Sequence, residues 1–150
     1  MAESVTVLTD ELLSGLEKEP FVLLHTIDAD NGFPTSSAIS WICAVNRATL
    51  RLVIDGRSRL RVNMTSNPAV SVTVFAPGTV QTIYGTARLV TDALEDVPFK
   101  LSCYDIEIAS IRDAMFYGAR LSARPEYEKT YDKRAADKLD GQVFAAMKKA

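Results

Sequence analysis

The sequence predicts a mainly β chain: a small antiparallel barrel of six to seven strands with one short inserted helix and a helix at each end. Two observations carry this. Between Phe21 and Ile108, apolar residues recur at every second position in short runs, and those runs are separated by tight-turn residues such as Asp28–Gly32 and Pro77-Gly78. Outside that region the apolar residues return to helical spacing. Strands joined by short turns and flanked by helices close most simply as a barrel.

Taken in order, Thr9 or Asp10 caps a first helix whose stripe is Leu12, Leu13 and Leu16, and Pro20 closes it. Phe21–Ile27 reads as a buried strand and Asp28–Gly32 as a turn. Thr35–Val45 reads as one strand, with Ile39, Trp41, Cys43 and Val45 on one face and Ser36, Ala38 and Ser40 on the other. After a turn at Asn46-Arg47, Leu50, Leu52 and Ile54 mark a third strand, broken at Asp55-Gly56-Arg57. Ser58 caps a short helix to Thr65 or Ser66, which Asn67-Pro68 ends. Val70, Val72 and Val74 mark a fourth strand. Val80–Val90 is a fifth, with Gly85 in its middle where another backbone or a ligand comes close. Phe99–Ile108 supplies a sixth and Phe116–Ser122 a further short one. From Pro125 the chain reads as helical, with Ala135, Leu139, Val143, Ala146 and Met147 as its stripe.

At 150 residues, 47% of them apolar and 24% charged, the chain makes one globular domain, residues 1–150, that needs neither disulfides nor a structural metal. No apolar run nears the ~20 residues of a membrane helix, and the start of the chain lacks the basic and apolar regions of a secretion signal. A net charge of −2 argues against a general nucleic-acid binder. Two cysteines are too few for a disulfide framework, which points to a cytoplasmic location. His25 is the single histidine, so a multi-histidine metal site is excluded and no metal is expected. Its apolar strand context makes it a strand residue satisfied by a neighbour.

Nucleotide-binding signatures such as G-x-G-x-x-G and the P-loop are absent. One constellation remains. Asp55-Gly56-Arg57-Ser58-Arg59-Leu60-Arg61 is a turn leading into a helix N-terminus, and five arginines but one acidic residue lie between Arg47 and Arg61. Free amides and the dipole of a helix N-terminus favour an anion, and an adjacent arginine adds charge-assisted bonds. The alternative is a capped helix with solvated arginines. A flat ring could lie against the short side chains Ser36, Ala38 and Ser40. Gln81 and Tyr84 either supply polar contacts to that pocket or pair across the sheet. Trp41, on the opposite face, reads as a core or dimer-interface residue.

In this order the segments resemble a known family. Pro20-Phe-Val-Leu-Leu-His-Thr-Ile-Asp, Asn31-Gly-Phe-Pro, Ser36-Ser-Ala-Ile-Ser-Trp, Asp55-Gly-Arg-Ser-Arg, Asn63-Met-Thr-Ser-Asn-Pro and Ile83-Tyr-Gly-Thr-Ala-Arg-Leu-Val are similar to the pyridoxamine 5′-phosphate oxidase-like flavin proteins. The match runs from about Pro20 to Val90. It implies a split β-barrel that binds FMN at a homodimer interface, with sites built from both subunits. Carried over, Ser37, Ala38, Ile39, Ser40 and Trp41 line the flavin, and Ser58 and Arg59 form the phosphate-binding step, flanked by Asp55 and Arg57, with Gln81 on the long strand.

The family's B6 oxidases carry a lysine where this chain has Leu60, and end in a tryptophan- and arginine-containing segment absent here. The resemblance therefore points to a bacterial member that is not a true B6 oxidase. The expected function is a small FMN-dependent oxidoreductase acting on a small molecule, with a reduced nicotinamide as possible donor and no side chain singled out as catalytic. The alternatives are a non-catalytic flavin-, deazaflavin- or haem-binding module and a cofactor-free dimeric barrel. Neither a nucleic acid nor a membrane is an expected partner.

Overall fold

The computed structural model describes residues 5–150. Its elements run α1 (Asp10–Gly15), β1 (Val22–Ile27), β2 (Pro34–Ile39), β3 (Ile42–Asn46), β4 (Thr49–Asp55), α2 (Arg59–Ser66), β5 (Ala69–Ala76), β6 (Thr79–Thr91), β7 (Leu101–Asp113) and α3 (Lys133–Lys149). All seven strands pair antiparallel in the order β2-β1-β5-β6-β7-β4-β3. The two edge strands, β2 and β3, are consecutive in the chain and separated by Ser40 and Trp41 alone. Two residues span at most about 7 Å, so the sheet has to curl until its edges meet. The result is a split barrel of the expected mainly β class.

The seam corrects one expectation. Thr35–Val45 is two strands rather than one, because the chain turns at Ser40 (the Ile42 amide donates to the Ser40 carbonyl, 3.0 Å) and joins the opposite edge. The turn changes the parity of the alternation. Ile42 enters the core, fully buried, while Trp41 and Cys43 turn to the outside, under α3.

Leu24, Leu50, Leu52, Val72, Val74, Ile83 and Ile106 fill the barrel from the strands. The ends are plugged by helices: α1, capped by Thr9, inserts Leu12 beside Leu8 and Leu16, and α2, capped by Ser58, inserts Met64. A second cluster sits outside the barrel, where α3 lays Val143, Ala146 and Met147 over Val53, Leu101 and Cys103. β4 and the first half of β7 are thus largely buried on both faces. Burial pushes the Cys103 thiol up to about 11 and raises Cys43 beside it. Among the described residues no helix is long and apolar enough to cross a membrane.

Four further expectations are corrected. Phe116–Ser122 forms no strand: it makes a single bridge, Leu121 to Gly78, and its Phe116 and Tyr117 are exposed. The final helix begins at Lys133, capped by Asp132, and residues 125–131 run over the surface instead. Ala136, not Ala135, is its buried first-turn alanine. The sixth strand is longer than expected, running Leu101–Asp113 and pairing with β6 from Gln81 to Thr91.

Gly85 holds the place the sequence predicts. The β6–β7 register shifts between Tyr84 and Gly85, and a Cβ on Gly85 would stand 2.5 Å from the Glu107 carbonyl oxygen and 2.6 Å from Ile106 Cγ2. Gly85→Ala is expected to destabilise the fold by about 1–3 kcal/mol through overpacking against backbone, a loss that urea denaturation measures.

Candidate functional site

The seam that closes the barrel also shapes a groove. Ala38 and Ile39 at the end of β2, Ser40 and Trp41 of the seam, and Val53, Ile54 and Asp55 at the end of β4 line it together with Ser58 and Leu60; its volume is about 300 Å³. Short side chains leave the β2 edge open, and Ser58 brings the N-terminus of α2 to the rim. The Ser58 hydroxyl accepts from the Leu60 amide at 3.1 Å, so it serves as the helix cap. Leu60 packs between the groove and the barrel core.

On the other side of the same β2 stretch lies a second groove of about 200 Å³, formed by Phe21, Ala38, Ile39, Ser40, Tyr127 and Lys129. A polar network ties its walls together. Glu19 accepts from the Ser40 hydroxyl at 3.2 Å and from the Lys129 ammonium at 2.9 Å. Lys129 also lies 3.4 Å from Asp140, whose other oxygen accepts from the Trp41 indole at 2.9 Å. The Tyr127 hydroxyl donates to the Glu19 carbonyl at 2.6 Å. Burial, then the neighbouring Glu19, raises the Tyr127 hydroxyl above its ordinary value. Lys129 is pulled down by burial but carried net upward by Glu19 and Asp140. Lys18 and Glu19 both adopt φ of 56°, a left-handed conformation costly for residues with a Cβ. Sequence reasoning missed this network because its members come from four segments, joined by bonds that span up to 110 residues.

Of the residues the sequence singles out, Ala38, Ile39, Ser40, Trp41, Asp55 and Ser58 converge on the first groove. Ser37 does not line it: it pairs with buried Leu24, on the same face of β2 as Ile39 but two residues back from the groove. Gln81 is distant within one chain. The row Ile39–Val22–Val74–Gln81 puts it three strands from the groove, roughly 14 Å along the sheet. Tyr84 stands on the outer face in the row Ser36–His25–Ser71–Tyr84–Ser110. In that row both His25 ring nitrogens are engaged, by Ser36 (3.0 Å) and Thr73 (2.7 Å).

The arginine-rich stretch is not a free cationic patch, although Arg47, Arg57 and Arg59 stay half or more exposed. Each of its five arginines meets an aspartate: Arg47 with Asp10, Arg51 with Asp105, Arg57 with Asp55, Arg59 with Asp28 and Asp30, and Arg61 with Asp92. Arg51 also binds the Met147 and Ala150 carbonyls at the end of α3. The Arg59 side chain turns from the groove toward the Asp28–Gly32 turn.

A model of the pyridoxamine 5′-phosphate oxidase family matches residues 8–132. The chain belongs to that family. Among solved structures, a Lactobacillus delbrueckii protein provisionally assigned as a pyridoxamine 5′-phosphate oxidase is 18% identical, with a TM-score of 0.63 over 73% of this chain and 97% of that one. An F420 reductase is 18% identical, with a TM-score of 0.57 over 69% of this chain and 98% of that one. An FMN-binding protein from Syntrophomonas wolfei is 15% identical, with a TM-score of 0.56 over 71% and 86%. At these identities the likeness establishes the fold. A comparison with curated proteins finds no match.

The ion pairs at the rim carry a pH signature. The Arg59 guanidinium first, then the amides of Asp30 and Asn31, hold the Asp28 carboxyl well below the carboxylate range. A depressed folded-state value stabilises above the ordinary 3.8, and that stabilisation is lost only as pH falls below it. Carboxyl NMR should find Asp28 still ionised at about pH 3, and Arg59→Gln should move its titration up toward 3.8.

Proposed function

We propose that this family member is an FMN-binding flavoprotein that acts as a small oxidoreductase, with the flavin in the groove at the barrel seam. The observation that carries the reading is the convergence there of an open, small-residue strand edge with the N-terminus of α2. The residues present fit such a group. Ala38, Ile39 and Ser40 offer a surface a flat ring can approach, and Trp41, Val53 and Ile54 bound it. Ser58 and the first amides of α2 suit the phosphate. Arg57 and Arg59 are half or more exposed, so their guanidinium groups can exchange a carboxylate for a phosphate. The bound flavin would supply the redox chemistry; the chain binds it, orients it and limits water at the seam.

FMN is favoured over the alternatives by the disposition of two residue types. A deazaflavin with a longer anionic tail would call on Arg47 and Arg51; Arg51 is nearly buried against Asp105, and Arg47 is tied to the Leu8 carbonyl as well as to Asp10. A haem would call on His25, whose ring nitrogens are both engaged. The fold is shared by an FMN-binding protein and an F420 reductase, which agrees with a flavin-type ligand.

The active unit is proposed to be a homodimer with shared sites. Outside the region covered by α3, the outer-face residues His25, Ser71, Thr73 and Thr82 are half-buried, and Tyr84 beside them is exposed. A small-molecule substrate, with reduced nicotinamide as donor, and action in the cytoplasm complete the reading.

After incubation with FMN and removal of the excess, the protein should keep a flavin spectrum at about one FMN per chain. A colourless protein overturns the reading. Arg59→Ala should weaken FMN binding only a few-fold, the scale of one exposed, already engaged charge, as titration would measure. Sedimentation should find a species of two chains, and a monomer that nevertheless retains FMN would remove the shared site alone.

A further inference from the structure

The Arg59 side chain already makes three charge-assisted bonds. Its Nε donates to Asp28 Oδ2 at 2.9 Å, and its Nη2 donates to Asp28 Oδ1 at 3.0 Å and to Asp30 Oδ2 at 2.7 Å. The carboxylates are placed by the fold. Asp28 accepts from the amides of Asp30 (2.9 Å) and Asn31 (3.1 Å), which fixes it in the turn. The turn is in turn fastened to α2. Asn63, buried and one helical turn beyond Arg59, accepts from the Ala29 amide at 2.9 Å and donates to Thr26 Oγ1 at 3.0 Å. The same helix therefore carries the arginine and anchors the acids that hold it.

The neighbouring cations are similarly occupied. Arg57 is paired with Asp55 at 3.2 Å, and Arg61 lies 3.7 Å from Asp92. Around the first turns of α2, three guanidinium groups face four carboxylates. A phosphate monoester approaching this end of the groove competes with anions already seated on the fork that would bind it.

Resting on the flavin reading above, we infer that Asp28 and Asp30 are specificity residues that hold Arg59 back from the flavin phosphate, so that the site favours FMN over riboflavin only weakly. Asp28 is the fixed half of this clamp because it also caps the turn. Asp30 is the adjustable half: its side chain is 80% exposed and Arg59 is its ion-pair partner. Asp30→Asn removes the charge while leaving the turn's backbone contacts to Asp28 in place.

The test is a matched titration of wild type, Asp30→Asn and the double variant Asp30→Asn/Arg59→Ala with FMN and with riboflavin, followed by quenching of flavin fluorescence. Asp30→Asn is expected to bind FMN about threefold tighter, the scale of one exposed ion pair, with riboflavin affinity unchanged. In the double variant the gain for FMN disappears. An FMN-to-riboflavin ratio equal in wild type and Asp30→Asn overturns the clamp while leaving the flavin site standing. Failure of every form to bind either flavin overturns both readings. Equal thermal unfolding of wild type and Asp30→Asn establishes that the comparison is between folded proteins.

Discussion

The two-residue connection between the outermost strands governs this structure. Ser40 and Trp41 join β2 to β3 across the whole width of the sheet, so the sheet closes or the chain breaks. Closure decides the rest. It gives α1 and α2 open barrel ends to plug, and it turns Trp41 outward to the Asp140 carboxylate on α3. It also leaves a notch where two edges approach without a full ladder between them, and both grooves open there. The site is a by-product of how the barrel closes.

Charge placement is the second organising constraint. The stretch from Arg47 to Arg61 is basic in sequence, yet each arginine finds an aspartate supplied by another part of the chain or, for Arg57, by its own turn. These pairs differ in consequence. Arg51 and Asp105 are nearly buried and bidentate, and Arg51 also binds the last carbonyls of α3, so this pair fastens the helix to the sheet. Arg59 and Arg57 sit at the surface, where an ion pair is weak and exchangeable. The first kind belongs to the fold, whereas the second is available to a ligand.

Much of the fold was legible because alternation and turn chemistry are local. Thr9, Ser58 and Gly85 each announced its role through residue type and position alone. The break at Ser40-Trp41 was not legible: alternation continues through it, and only the opposite locations of β2 and β3 in the sheet reveal the turn. In the candidate site, the small-residue strand and Ser58 could be read from sequence and do line one groove. Arg59 could be recognised, but not its engagement, since Asp28 lies 31 residues earlier. Glu19, Tyr127 and Lys129 gave no signal, because contacts across more than a hundred residues leave no periodic trace.

The two cysteines give the helix on the barrel's flank an observable of its own. Cys103 is fully buried and Cys43 partly so in the layer that α3 covers, and burial disfavours the thiolate at both. A thiolate is the reactive form, so the fully buried Cys103 sulfur stays silent toward alkylating reagents while the helix is seated. Labelling at Cys103 would then report each lifting of α3 from the sheet, separately from opening of the barrel core. The chain carries its own chemical clock for the motion of one element.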